Sequence, residues 1–324
     1  MNMRFLGAAL VGLGLSLVSP VAIAAGYPDH PVTLVVPYPP GGPADTMARL
    51  LQQPLTESLG QQVVIENRAG AAGAIGSHDV AKAAPDGYTL LFTNVGPSAV
   101  APALQPNVGY DSVKDFAAVS LVSRSPLLLV VNPSVPANSL AELIKLAKDK
   151  PGTLIYSSAG AGSFGHLSTA LFAEAAGMEM IHVPYKGQAP ALTAVLSGEA
   201  SMSLTAPSGA MNEYIKQGKL KLIGVSTLEP SPLAPGATPI ATVVPNFDSA
   251  YWFGVTAPAK TSPEIIAKLN AAINAALAKP ALQQKFIDTG NIAEGGAPDQ
   301  FAALIASEAA RWREVIAKNH VTLN

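Results

Sequence analysis

Past its first 25 residues the chain alternates short apolar runs with segments whose apolar residues recur at helical spacing, and this predicts βα units in series. Val32-Thr33-Leu34-Val35-Val36 reads as a buried strand between Pro31 and Pro37. Behind it, Ala48, Leu51 and Leu55 share one helix face, with Pro43 suited to the first helical position, where its missing N–H costs nothing. A second strand is expected over 62–66, and the small-residue stretch 70–76 opens a helix to about 84. Pro85-Asp86-Gly87 then turns into a strand over 88–92 that ends in polar Thr93-Asn94, followed by the loop Gly96-Pro97-Ser98.

Apolar runs over 117–122 and 127–131 flank Ser123-Arg124-Ser125-Pro126 and read as one long strand broken at a hinge. From Ser139, an N-cap for a helix over 140–149, a second βα series begins. Its strands fall at 153–157, 180–183, 200–204 and 220–226. Residues 229–245 carry five prolines and read as a linker. A last strand over 251–257 precedes three helical stretches between 262 and about 318. The pattern predicts an α/β chain in two lobes, 26–124 with 248–324 and 125–247, joined by two crossings. Ligands of such sheets bind outside the carboxyl ends of the strands, here facing the interlobe cleft.

Composition changes this picture in two places. The 324-residue chain opens with Arg4, an apolar stretch over 5–18 and Ala22-Ile23-Ala24, the pattern of a cleaved secretory signal peptide over 1–25. That leader is expected to export the protein to an oxidising compartment. There is no cysteine, which excludes disulfides, thiolate sites and a lipid anchor on an N-terminal Cys. A soluble monomer is expected. Charged residues make up only 13% of the chain and no basic run occurs, which argues against nucleic acid and anionic membrane as partners. A charged ligand would be met largely by neutral groups.

The candidate chemistry lies in loops. Between the first strand and helix, Tyr38-Pro39-Pro40-Gly41-Gly42-Pro43-Ala44-Asp45 carries little side-chain bulk and aims backbone N–H groups of a helix N-terminus at an anion. Asp45 opposes that unless it pairs with Arg49 or caps the loop. A plain tight βα turn is the alternative. A second loop, Ser157 through His166, contains Gly160, Gly162 and Gly165 in G-x-G-x-x-G spacing between a strand and a helix. A dinucleotide fold would need an acid about 20 residues on; Val183-Pro184-Tyr185-Lys186-Gly187 supplies none, so no cofactor is expected. The same glycines bare N–H groups at a second helix N-terminus, with Ser158, Ser163 and His166 beside them.

Ala161-Gly162-Ser163-Phe164-Gly165 also approaches a nucleophile elbow, and a secreted serine hydrolase using Ser163 is the alternative function, with Asp248, Asp288 or Asp299 and His320 as partners. The five histidines show no metal-ligand spacing, so no metal is expected. Asn94, Ser98 and Thr205 are polar groups at further strand ends on the cleft side. Anion-friendly loops converge while acid, base and nucleophile do not, so binding without chemistry is the reading.

Six phrases in order carry a resemblance: Tyr27-Pro28 with Pro31, Val35 through Asp45, Glu66 through Gly73, Pro85 through Leu91, Tyr156 through Gly160, and Val183 through Gly187. Together they resemble the Bug-type periplasmic receptors of tripartite tricarboxylate transporters. The resemblance implies an α/β, two-lobed periplasmic-binding-protein fold of the type II, Venus-flytrap kind, each lobe a mostly parallel sheet flanked by helices. It implies capture of a small organic acid for integral-membrane transporter subunits. Ligand carboxylates would be held by 38–45 and 158–166, through backbone N–H, hydroxyls and water. Many relatives carry an acid or a Gln–Asp pair around 198–203, where this chain has small residues before Thr205; the ligand's second group is therefore not implied. The hinge would bend near 123–126 and around 229–245.

Overall fold

The computed structural model describes residues 26–105, 107–319 and 321, so the signal peptide expected over 1–25, and His320, lie outside the described residues. In chain order the first βα series comprises β1 (Val32–Val36), α1 (Pro43–Leu59), β2 (Val63–Asn67), α2 (Ala74–Ala81), β3 (Thr89–Asn94) and α3 (Ala101–Leu104). Then β4 (Phe116–Pro126) leads into β5 (Leu128–Val131), α4 (Leu140–Asp149), β6 (Ile155–Ser158), α5 (Phe164–Ala176) and β7 (Ile181–Pro184). The second series continues with α6 (Gln188–Ser197), β8 (Met202–Thr205), α7 (Gly209–Lys216), β9 (Lys221–Val225) and β10 (Thr238–Pro239). The chain returns through β11 (Ala250–Pro258) to α8 (Pro263–Leu277), α9 (Pro280–Asp288), β12 (Ile292–Ala293) and α10 (Pro298–Lys318).

The strands form two six-stranded sheets, ordered β12-β4-β11-β3-β1-β2 and β10-β9-β5-β8-β6-β7. Both are mixed. In each, a set of parallel strands is interrupted by the strand that arrives from the other sheet: β11 runs antiparallel to β3 and β4, and β5 runs antiparallel to β8 and β9. A strand that simply continues across a hinge enters without a crossover helix, so nothing turns it parallel. Each sheet packs apolar faces against helices. The first encloses Leu34, Leu51, Phe92 and Phe286, the second Leu129, Phe172, Met202 and Ile240.

Two expectations about the hinge are corrected. Residues 123–126 do not break the strand: β4 pairs with β11 as far as Pro126 opposite Ala250, and the interruption before β5 is Leu127 alone. Ser123 and Ser125 looked like hinge polarity, yet both are buried strand residues. The proline-rich stretch 229–245 is no free linker either. Its β10 pairs with β9, and Ile240 and Val244 fill the second core. The prolines mark turns there, while the apolar residues between them have a core to join. The crossings are clasped instead by Ser226, whose Oγ accepts from Leu127 N–H at 2.8 Å and whose carbonyl accepts from Ser249 N–H at 2.8 Å.

Beside the crossings, α10 lays Phe301, Ile305 and Trp312 into a cluster that also holds Trp252 of β11 and Leu167 of α5. Gly254 of β11 faces it, and a Cβ there would meet Phe301 Cζ at 2.2 Å. Because Phe301 is fully buried, it has no free rotamer to escape into. Gly254→Ala is expected to destabilise the protein by about 1–3 kcal/mol in urea unfolding; an unchanged midpoint would show that the cluster is looser than it is drawn.

Candidate ligand-binding site

The loop from β1 to α1 is held from behind. Gly41 adopts a left-handed φ of 81°, which lets the chain reverse before the helix. Asp45 is buried, and its carboxylate turns back into its own loop: Oδ2 accepts from Gly41 N–H at 2.9 Å and Arg49 Nε at 2.8 Å, and Oδ1 accepts from Asn67 Nδ2 at 2.9 Å. Asn67 Nδ2 also donates to Tyr38 O at 3.1 Å, tying β2 to the loop. The Arg49 guanidinium, helped by the two neutral donors, outweighs burial and holds the Asp45 carboxyl down at about 2. Asp45 thus stands behind the mouth as a brace. No side chain caps α1, so its first amides, at Ala44 and Asp45, lack intrahelical acceptors.

In front of the loop is a hollow of about 450 Å³ lined by residues 38–44 with Asn94 and Tyr251. Its floor is set by Asn94 at the end of β3, whose Oδ1 accepts from Gly96 N–H at 2.8 Å and from Tyr38 Oη at 3.1 Å. Burial pushes the Tyr38 phenol up to about 12 and Tyr251 well above its ordinary range, so both stay protonated donors. A neighbouring hollow of about 280 Å³ lies between Tyr38, Ala72 and Gly96 on one side and residues 159–163 on the other. Among the described residues no charged side chain lines either hollow.

The facing loop, between β6 and α5, is braced by two histidines. Ser158 Oγ accepts from Gly160 N–H at 3.2 Å and touches His182 Nε2 at 2.7 Å. His166 Nδ1 accepts from Gly162 N–H at 3.0 Å, which places a neutral ring's proton on Nε2. The two imidazoles stack with centroids 3.8 Å apart, and His182 stacks in turn on Tyr156 at 4.8 Å. Burial, then the neighbouring His166, lowers His182 to about 4; burial also lowers His166. Ser163 caps α5 by accepting from His166 N–H at 3.3 Å.

Of the residues singled out in the sequence, Tyr38, Pro40, Gly41, Gly42, Ala44, Asn94, Gly160, Gly162 and Ser163 line the two hollows. Ser158 and His166 stand directly behind the second loop. Ser98 is not brought there: its Oγ bonds Thr93 Oγ1 at 2.7 Å within the first lobe, where the turn after β3 rotates it away from the cleft. Thr205, at the end of β8, lines neither hollow. Among the described residues no base faces Ser163: the His166 ring is engaged with Gly162, and Asp248 is held by Arg124 and Arg311. Sequence reasoning missed Tyr251, Asn67 and His182. Only His182 had a signal, being the strand residue set opposite Tyr156 once β6 and β7 pair.

Comparison with known proteins supplies the relatives. Residues 47–321 match the family described as "Tripartite tricarboxylate transporter family receptor". Protein BugT of Bordetella pertussis is 38% identical over 321 residues, covering 98% of each chain. The structure of Rpa4515 of R. palustris with adipate is 36% identical, with a TM-score of 0.72 over 91% of this chain and 99% of that one. A ligand-free solute-binding protein from Polaromonas is 26% identical and has a TM-score of 0.81 over 90% of this chain and 99% of that one.

Two consequences can be measured. Asp45→Ala removes a charged acceptor from three donors and is expected to cost about 1–3 kcal/mol in urea unfolding at neutral pH; no loss would mean that Arg49 and Asn67 hold the loop unaided. His182 is held neutral in the fold but has an ordinary value of 6.5, so the unfolded chain takes up the extra proton. Its contribution is complete above pH 6.5 and falls as the pH drops towards 4. His182→Gln should flatten the pH dependence of the denaturation midpoint across that interval. An unaltered slope would count against a neutral His182 in the fold.

Proposed function

The chain belongs to the tripartite tricarboxylate transporter receptor family, whose members are binding proteins and not enzymes, and from that premise we propose that it captures a small organic acid in the interlobe cleft for integral-membrane transporter subunits. The hydrolase alternative on Ser163 falls with the family and with the capping role of that serine. The ligand is a mono- or dicarboxylate, aromatic acids included. The receptor works in the periplasm as a monomer, delivered there by its signal peptide; among the described residues no helix is long and apolar enough to cross a membrane.

One observation carries this reading: two loops that offer backbone donors face each other across Tyr38, and among the described residues no charged side chain lines the space between them. Backbone amides and the partial charge of a helix N-terminus hold an anion without a lysine or arginine. We assign the first carboxylate to residues 38–44, with Asn94 below it, and closure over the ligand to Ser158, Gly160, Gly162, Ser163 and His166. Asp45 shapes the first loop, and Thr205 stands at the far end. The moving bodies are 26–124 with 248–324 and 125–247, bending at Leu127 and Ser249. The adipate in Rpa4515 supports a carboxylate here.

The test is a thermal-shift screen of refolded protein against small carboxylates, with amides and esters as controls. A ligand at 100 times its Kd adds about 2.7 kcal/mol, enough to raise the melting temperature by several degrees. A shift for an acid that is absent for its amide is the expected result. No shift across a broad carboxylate panel would overturn the proposal.

A further inference from the structure

Asn94 is wholly buried, and two donors decide how its amide is turned. Gly96 N–H and Tyr38 Oη both donate to the same oxygen, so the amide cannot be flipped without losing both. Gly96 is what allows the approach, since a Cβ there would stand 2.8 Å from Tyr38 Oη and 2.9 Å from Asn94 Oδ1. The other end of the amide, Nδ2, is buried with no hydrogen-bond partner. A buried donor left unpaired is costly, and such a group in a binding wall points to an acceptor supplied from outside. Tyr251 lines the same hollow, and its hydroxyl has no partner among the described residues. Its ring is fixed edge-on by Phe164 at 5.4 Å and Phe253 at 5.2 Å.

The rest of that hollow is apolar: the Tyr38 ring and the faces of Pro39, Pro40 and Pro43. The nearest acid, Asp45, has both oxygens engaged, and Lys186 is exposed and lines neither hollow. A single carboxylate in this hollow can therefore be satisfied by the α1 amides, Asn94 and Tyr251, whereas a second one would have to reach the facing loop, where the Gly160 and Gly162 N–H groups are already taken by Ser158 and His166. We propose that Asn94 Nδ2 and the Tyr251 hydroxyl are the side-chain specificity contacts of this site, and that its ligand is a carboxylate on a flat apolar body, an aromatic monocarboxylate in preference to an aliphatic dicarboxylate. The inference rests on the carboxylate reading of the cleft and narrows it.

The experiment is calorimetric titration of refolded protein with benzoate, benzamide, adipate and malate, on the wild type, Asn94→Asp and Tyr251→Phe. Benzoate should bind about tenfold or more tightly than either diacid, and benzamide should not bind. Asn94→Asp keeps an oxygen for Gly96 and Tyr38 but sets a second one where Nδ2 stood, and benzoate affinity should fall at least about tenfold. Tyr251→Phe deletes a hydroxyl that bonds nothing among the described residues, so its melting temperature should hold while benzoate binding weakens severalfold. Diacids binding as well as benzoate, or benzoate affinity unchanged in Tyr251→Phe and in a folded Asn94→Asp, would overturn the inference while leaving a carboxylate receptor intact. Binding of no carboxylate at all would instead remove the reading beneath it.

Discussion

A loop that must present bare backbone amides cannot spend those amides on holding its own shape. Both cleft loops meet this constraint in the same way, with side chains standing behind the backbone and gripping the amides that do not face the ligand space. In the first loop Asp45 takes Gly41 N–H, and Arg49 and Asn67 hold Asp45. In the second, Ser158 takes Gly160 N–H and His166 takes Gly162 N–H. The chemistry of the braces differs because their surroundings differ. A carboxylate behind the first loop is affordable since a cation meets it from a half-exposed helix face. Behind the second, the stacked imidazoles of buried His166 and half-buried His182 have lowered pKa values and add no fixed charge.

The same economy explains the low charge of the cleft. A lysine or arginine would add attraction at long range, but it would also bring a desolvation cost on closure and a flexible stem to be ordered. Amides fixed at helix starts carry neither burden, and their geometry is set before the ligand arrives. Glycine and proline are the residues that make this possible. Gly41, Gly160 and Gly162 take left-handed or extended positive φ values, and Pro43 opens α1 with no N–H of its own to satisfy.

Much of the fold was legible, because strands and helices are written locally in the period of apolar residues. The first βα unit, with Pro43 as its first helical residue, and the N-cap at Ser139 stand where the sequence puts them. The exact strand break was not legible. Ser123 and Ser125 are buried by pairing with a strand more than 120 residues later, and local polarity carries no trace of that partner. The proline stretch 229–245 misled for the opposite reason, since proline reports turns and says nothing of whether Ile240 finds a core. Within the site, the loops were visible from glycine and strand–loop–helix order. Tyr251 and Asn67 were invisible, because each reaches the site through sheet register alone.

One consequence of that register joins recognition to motion. Phe164 is the first residue of α5, directly after the Ser163 cap, and its ring packs edge-on against both Tyr251 and Trp312. Tyr251 lies just past the second crossing on β11, and Trp312 belongs to the helix that spans from the first sheet towards α5. The loop that would close on a ligand is therefore anchored at its far end to the aromatic cluster around which the lobes meet. On the proposed closure, rotation of the second lobe would move Phe164 across Tyr251, so that fixing Tyr251 would favour some rotations over others. A ligand seated on this wall need not reach the second loop to bias the angle between the lobes.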